Sequence, residues 1–260
     1  MHPILIEIAG LPIYTYGVCL ATAFFLAVKL LVKRGAEVGL EEEIIYDLAI
    51  ISIFSAIIGA RIAYVYLAWD HYSQNLLEII QIYRGGLVFF GGLIGGILGG
   101  VSFWKYKKQD VLQMGDMIAI SLSLGQGIGR IGCFFYGCCY GMVIHPDSIW
   151  APLGVHFPLH LDNLRHPTQL YSALANVLIS LFLYYVYRKG KLKGRVIIAY
   201  FYVYGTFRFL IEIIRDDIRG TILGISSLTT SQTISLIGIA LGICMHIFLV
   251  LKAKKEDAHN

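Results

Sequence analysis

Charge is the scarcest ingredient of this chain. Only 15% of its 260 residues are Asp, Glu, Lys or Arg, where a soluble domain carries about 25%. Proline is rare too, six in all, and three of these fall together in the segment 142–165. A basic leader is missing from the N-terminal "MHPILIEIAGLPIY", and its apolar part is too short for a signal core plus cleavage site, so no cleavable signal peptide is expected. Also absent is any polar stretch long enough to form a sizeable water-soluble domain. A soluble enzyme is thereby excluded, and no nucleic-acid partner is expected. The formal charge of +4 gains meaning only when its charges are assigned to sides of a membrane.

Apolar residues fill the space that charge leaves. They make up 57% of the chain, with a mean hydropathy of +0.69. Runs near 20 residues, enough to cross about 30 Å of hydrocarbon, recur from end to end. They predict an all-α polytopic membrane protein, one transmembrane domain over 1–260. Seven spans are expected near 15–32, 44–68, 86–104, 116–138, 168–187, 196–214 and 230–251, with a small outer cap at 142–165.

Every second connection is basic: Lys33-Arg34, Lys105 to Lys108, "RKGKLKGR" at 188–195, and Lys252 to Lys255. These hold 13 of the 21 Lys and Arg residues, while the opposite loops hold Arg84, Arg165, Arg215 and Arg219. Positive charge stays cytoplasmic, so the N-terminus is placed outside and the C-terminus inside.

Four cations lie within spans. Lys29 sits one turn from a cytoplasmic end and can snorkel. Arg61, Arg130 and Arg208 lie ~25, ~21 and ~18 Å along their helices at ~1.5 Å per residue, all in the outer half of the bilayer. An intramembrane arginine costs at least ~2.5 kcal/mol and normally faces the protein interior. Three at one depth predict an anion-binding hollow open to the outer leaflet; the plainer reading pairs each with a carboxylate to lock helices. Tyr204, Arg208, Glu212 and Arg215 form one helical stripe at i, i+4, i+8 and i+11. One carboxylate between two arginines leaves the stripe net positive, which suits phosphate, and the guanidinium fork binds two oxygens at once.

"GGLVFFGGLIGGILGG" at 85–100 spaces Gly91, Gly95 and Gly99 by four, as it does Gly92, Gly96 and Gly100, a ridge for close helix packing in lipid. "GIGRIG" at 127–132 matches the dinucleotide fingerprint formally, but no strand precedes it and it lies inside a span, so that reading is rejected. Its glycines can instead let a ligand or backbone approach Arg130. Cys133, Cys138 and Cys139 cluster at the outer end of span four. C-x₄-C-C is not a standard zinc spacing; packing is the favoured role over a metal site or a disulfide, and neither metal nor cofactor is expected. His166, ahead of Pro167, falls at the outer interface.

"YG" at 16–17, "GGLVFFGGLIGG", "GRIGCFFYGCCYG", "RHPTQLY" at 165–171 and "YGTFRFLIEIIR" at 204–215 occur in that order. Together they resemble the phosphatidylglycerol–prolipoprotein diacylglyceryl transferases of the bacterial inner membrane. The resemblance implies seven spans with the N-terminus outside. It also implies transfer of a diacylglyceryl group from phosphatidylglycerol to the lipobox cysteine thiol of a prolipoprotein, with glycerol phosphate leaving and membrane lipids as surroundings. Matched by motif, Arg130 binds the head group, Arg208 is a second essential arginine, Glu212 positions it and Arg215 follows. Tyr16, Tyr204 and Gly141 fall at further pocket positions; Arg61 is expected to join the substrate site, and His166 to relay protons.

Two departures stand out. Where well-studied members carry a histidine, proposed as the thiol's base, this chain has Phe90. The signature asparagine is Cys133 and a later acid is Cys138. These features keep a paralogue with another acceptor in view, and the intramembrane arginines alone would also fit an anion or lipid transporter.

Overall fold

In hydrocarbon every backbone N–H and C=O must find a partner within the chain, and a helix is the cheapest way to supply one. The computed structural model describes residues 1–8, 10–158, 160–190, 192–216 and 228–257. Its long helices are α1 (Thr15–Glu37), α2 (Glu42–Leu67), α4 (Phe89–Tyr106), α5 (Val111–Tyr136), α6 (Thr168–Lys189), α7 (Arg195–Ile211) and α8 (Thr230–Asp257), with a one-turn helix α3 at Trp69–Tyr72. Each coincides with an expected span to within a few residues, except that α8 runs six residues further. Six of them, α7 with its 3₁₀ extension to Ile214 included, are long and apolar enough to cross a membrane among the described residues. Glycine, six of the 18 residues of α4, dilutes the apolar character of the remaining one. Outward-facing Ile237, Leu241, Phe248 and Leu251 on α8 are exposed, as lipid-facing positions should be. Lys191 and Arg219, counted in the charge asymmetry, lie outside the described residues, as does the side chain of Arg84.

Two units emerge from the internal packing, Leu31–Met114 and Met1–Leu30 with Gly115–Asn260. In the first, the glycine ridge of α4 packs on α2. A Cβ added at Gly59 would stand 2.5 Å from the Gly91 carbonyl oxygen and 2.9 Å from Gly95 Cα, so only small residues allow this approach. Trp104 is fully buried and donates to the Asp110 carbonyl at 2.9 Å, fixing the end of α4.

The second unit holds the start of α1 and helices α5 to α8. Ala119 and Ile120 of α5, Ile179 and Leu183 of α6, and Val196 and Tyr200 of α7 form its core. Asp116 on α5 caps α7 by accepting from the backbone N–H groups of Gly194 (2.8 Å), Val196 (2.9 Å) and Ile197 (2.9 Å). Those are the orphan donors that any helix start leaves over. Two hairpins decorate this unit. Strands β1 (Ile4–Ile8) and β2 (Leu11–Tyr14) pair antiparallel ahead of α1. Strands β3 (Val155–Phe157) and β4 (His160–Arg165) pair likewise within the expected cap segment.

Candidate active site

Three of the quoted motifs meet around one short strand-like segment, Tyr140 to Ile144. The Gly141 N–H donates to the His166 carbonyl at 2.8 Å, and the Met142 N–H to the Ile214 carbonyl at 2.9 Å. Gly141 thus bridges antiparallel to Arg215, and Val143 to Arg165. A Cβ on Gly141 would fall 2.7 Å from the Ile214 oxygen and 2.8 Å from both His166 Cβ and Thr168 Cγ2. Glycine is demanded here by crowding rather than by backbone angle.

The loop before this segment is clamped from α6. The Thr168 hydroxyl donates to the Cys139 carbonyl at 2.6 Å, and the Gln169 amide donates to the Cys138 carbonyl. Both side chains are buried. Arg165, also buried, donates to Asp216 at 2.6 Å and to the Gly141 carbonyl at 3.2 Å, with its guanidinium over the Tyr140 ring. Sequence reasoning counted Arg165 as a loop charge and passed over Thr168 and Gln169. The polar "TQ" opening an apolar helix was the available signal.

Glu212 lies at the centre of the arginine stripe, only 5% exposed. Arg208 donates to it at 2.7 Å and to the Ser231 hydroxyl at 2.7 Å. The Thr229 hydroxyl donates to its other oxygen at 2.9 Å, and Arg215 Nε stands 4.0 Å away. Thr229 and Ser231, at the start of α8, were missed because no periodicity relates them to α7. Tyr204 stacks on Tyr200 with centroids 5.0 Å apart, and its hydroxyl acts electrostatically on Arg208.

Arg130 differs from Arg208. Among the described residues its guanidinium makes no hydrogen bond or ion pair, although it is only half-buried. It lies near enough to act electrostatically on Arg208, on Cys133 and on Tyr16. The flanking glycines do two jobs. Gly132 lets Tyr16 and Cys19 of α1 approach, and Gly127 admits the α6 backbone at Ala173, whereas Gly129 has nothing within 4 Å of where its Cβ would be.

Cys133, Cys138 and Cys139 hold their sulfurs within 4.8 Å of one another. Hydrogen bonding from Cys133, then Cys138, draws the Cys139 thiol below its ordinary range, with the Arg215 charge adding to this. The same bonding pushes Cys138 upward. His166 sits beside the segment with Nδ1 3.2 Å from the Tyr171 hydroxyl and its ring against Trp150. Burial lowers its pKa, so its neutral form is favoured.

Arg61 has a different occupation. Within its own unit it is 6% exposed and donates to the carbonyls of Glu78 (2.6 Å), Ile79 (2.7 Å), Gly85 (2.8 Å) and Gly86 (3.1 Å). Its ring neighbours are Tyr64 and Tyr72. Four of five donors are taken by the 78–86 loop, so this arginine ties backbone where a substrate contact was expected.

The family described as "Prolipoprotein diacylglyceryl transferase" matches residues 3–248. The chain belongs to the prolipoprotein diacylglyceryl transferase family. A phosphatidylglycerol–prolipoprotein diacylglyceryl transferase of Clostridium tetani is 38% identical over 98% of this chain and all of its own length. One of Clostridium perfringens is 35% identical over the whole of both chains. Another, of Clostridioides difficile, is 34% identical over 98% of each. Membership in a transferase family sets the transporter reading aside.

Proposed function

We propose that this protein transfers the diacylglyceryl group of phosphatidylglycerol to the lipobox cysteine of prolipoproteins, the first step of lipoprotein maturation. The observation that carries the site assignment is Arg130: a half-buried guanidinium with no protein partner among the described residues, in electrostatic reach of Arg208 and Tyr16.

In the reaction the acceptor sulfur attacks the glycerol carbon of the lipid. A C–S bond forms, the C–O bond breaks, and its electron pair leaves on glycerol phosphate. The phosphate passes from one negative charge towards two, so donors that strengthen as charge builds lower the barrier. Arg130 takes the phosphodiester through its planar fork. Arg208, held by Glu212 and Ser231, meets the growing charge without having to reorganise, and Arg215 keeps the pair net positive against the single carboxylate. Tyr16 and Tyr204 line the head-group site, and Gly141 holds the crossing that joins the motifs. His166, neutral and at the edge of the site, is the relay for the proton released by the thiol.

Orientation belongs to the same proposal. Seven crossings, α4 completing the set, put the N-terminus outside and the basic segments in the cytoplasm. The site then faces the outer leaflet of the bacterial cytoplasmic membrane, where both lipidic substrates arrive laterally.

Complementation of a bacterium depleted of its own transferase tests the reading. Growth accompanied by thioether-modified lipoprotein is the expected result. Growth without that product would point to a paralogue acting on another acceptor, the alternative that Phe90 and Cys133 keep open.

A further inference from the structure

Activation of the acceptor thiol is the step that the arginine site leaves least supplied, and the cysteine trio adjoins it. Tyr16 interacts electrostatically with all three thiols and with Arg130. The sulfurs of Cys138 and Cys139 are 3.4 Å apart, and all three lie within 4.8 Å. A tetrahedral zinc ion with Zn–S bonds of about 2.3 Å sets its sulfurs about 3.8 Å apart, a value these separations bracket.

The trio is held in place. α5 ends at Tyr136, Gly137 turns at φ +85°, and the Cys138 N–H returns to the Cys133 carbonyl at 3.3 Å. Cys139 sits at φ +68°, a backbone region that non-glycine residues seldom occupy. Gln169 and Thr168 pin the carbonyls of Cys138 and Cys139 themselves. Charge is balanced as well. Three thiolates around Zn²⁺ leave one net negative charge. Arg215 lies in hydrogen-bonding reach of Cys139, and Arg130 acts on Cys133.

We infer that Cys133, Cys138 and Cys139 form a zinc site whose fourth position takes the acceptor thiol. Soft thiolate ligands select zinc over the hard divalent ions. Three protein ligands with one position open is the arrangement of a catalytic zinc, whereas structural sites are closed by four. A thiol that coordinates the ion loses its proton outright. In balanced form, the incoming R–SH displaces the bound water, its proton passes to solvent through His166, and the zinc-held sulfur donates its electron pair to the glycerol carbon as glycerol phosphate departs. The inference rests on the transferase reading for the identity of that thiol.

The test uses the full chain purified in mild detergent with a reductant and without chelators. Elemental analysis is expected to find about one zinc per chain, reduced by at least about tenfold in Cys133→Ser, Cys138→Ser and Cys139→Ser. Cobalt(II) exchanged into the wild type should give a thiolate-to-metal charge-transfer band. A lipobox peptide should shift the ligand-field spectrum, and its Cys→Ser counterpart should not. Phosphatidylglycerol binding by the same variants should persist, which separates loss of the metal from loss of the fold.

A wild type that is active with no zinc, with copper in its place, or with a disulfide inside the trio overturns the inference. So does full transferase activity in Cys138→Ser. Zinc and peptide-thiol binding without any thioether product would uphold the site and overturn the transferase reading instead.

Discussion

Replacing Arg130 and Arg208 by lysine separates two kinds of arginine that look alike in sequence. Lysine keeps the charge and removes the planar fork. At Arg208 the fork is occupied by the protein itself, with 2.7 Å bonds to buried Glu212 and to Ser231. One ammonium cannot serve both as well, and an under-satisfied buried group costs about 1–3 kcal/mol. At about 2–4 °C per kcal/mol, that lowers the unfolding midpoint of Arg208→Lys by about 2–12 °C. Arg130 has no protein partner to lose among the described residues, so Arg130→Lys should unfold within about 2 °C of wild type. Its cost falls on the substrate. Losing one of two charge-assisted hydrogen bonds to phosphate removes about 1.5–3 kcal/mol, or about 10- to 150-fold in kcat/KM. Thermal unfolding by intrinsic fluorescence and thioether formation in nanodiscs containing phosphatidylglycerol measure the two sides. Equal destabilisation of the two variants, or full activity in Arg130→Lys, would refute the division into a substrate arginine and a positioned one.

Further outcomes follow from single contacts. Gly141→Ala places a methyl against backbone and Cβ atoms at 2.7–2.8 Å and should lower both stability and activity by about 1–3 kcal/mol. Gly129→Ala meets nothing within 4 Å and should raise the unfolding midpoint, since alanine favours a helix by about 0.5–1 kcal/mol; a drop in midpoint would contradict the geometry. Asp116→Asn weakens the cap on α7 and should cost about 0.5–2 kcal/mol in denaturant titrations, with activity per folded molecule retained. Burial holds the His166 pKa below its ordinary value near 6.5, so the unfolded state binds more protons there. Stability is full above about pH 6.5 and declines as pH falls towards the folded pKa. His166→Phe should flatten that acid limb, and an unchanged limb would sink the assignment.

Much of this protein was legible in composition and spacing. Helix positions follow from apolar run length, because an uninterrupted apolar stretch in lipid has only one inexpensive backbone solution. The α4 glycine ridge was readable for a related reason, since close packing in lipid depends on residue size at a fixed interval. The pairing of Arg208 with Glu212 was also readable, being four residues apart at the end of α7, whereas Arg215, expected on the same helical stripe, lies past the helix end in extended backbone bridged to Gly141.

Contacts between distant segments were not legible. Arg61, Arg130 and Arg208 fall at one expected depth, yet Arg61 binds a loop, Arg208 a carboxylate and a serine, and Arg130 no described residue. Depth along a helix fixes where a charge lies; only the neighbouring chain fixes what neutralises it. The cysteines make the same point. C-x₄-C-C carries no metal signature as a string, and its sulfurs converge because α5 stops at Tyr136 and Gly137 turns the chain back. The sequence by itself therefore determined the helices and the charges within them. Which charges meet one another was decided by tertiary packing, because partner choice depends on residues far apart in the chain.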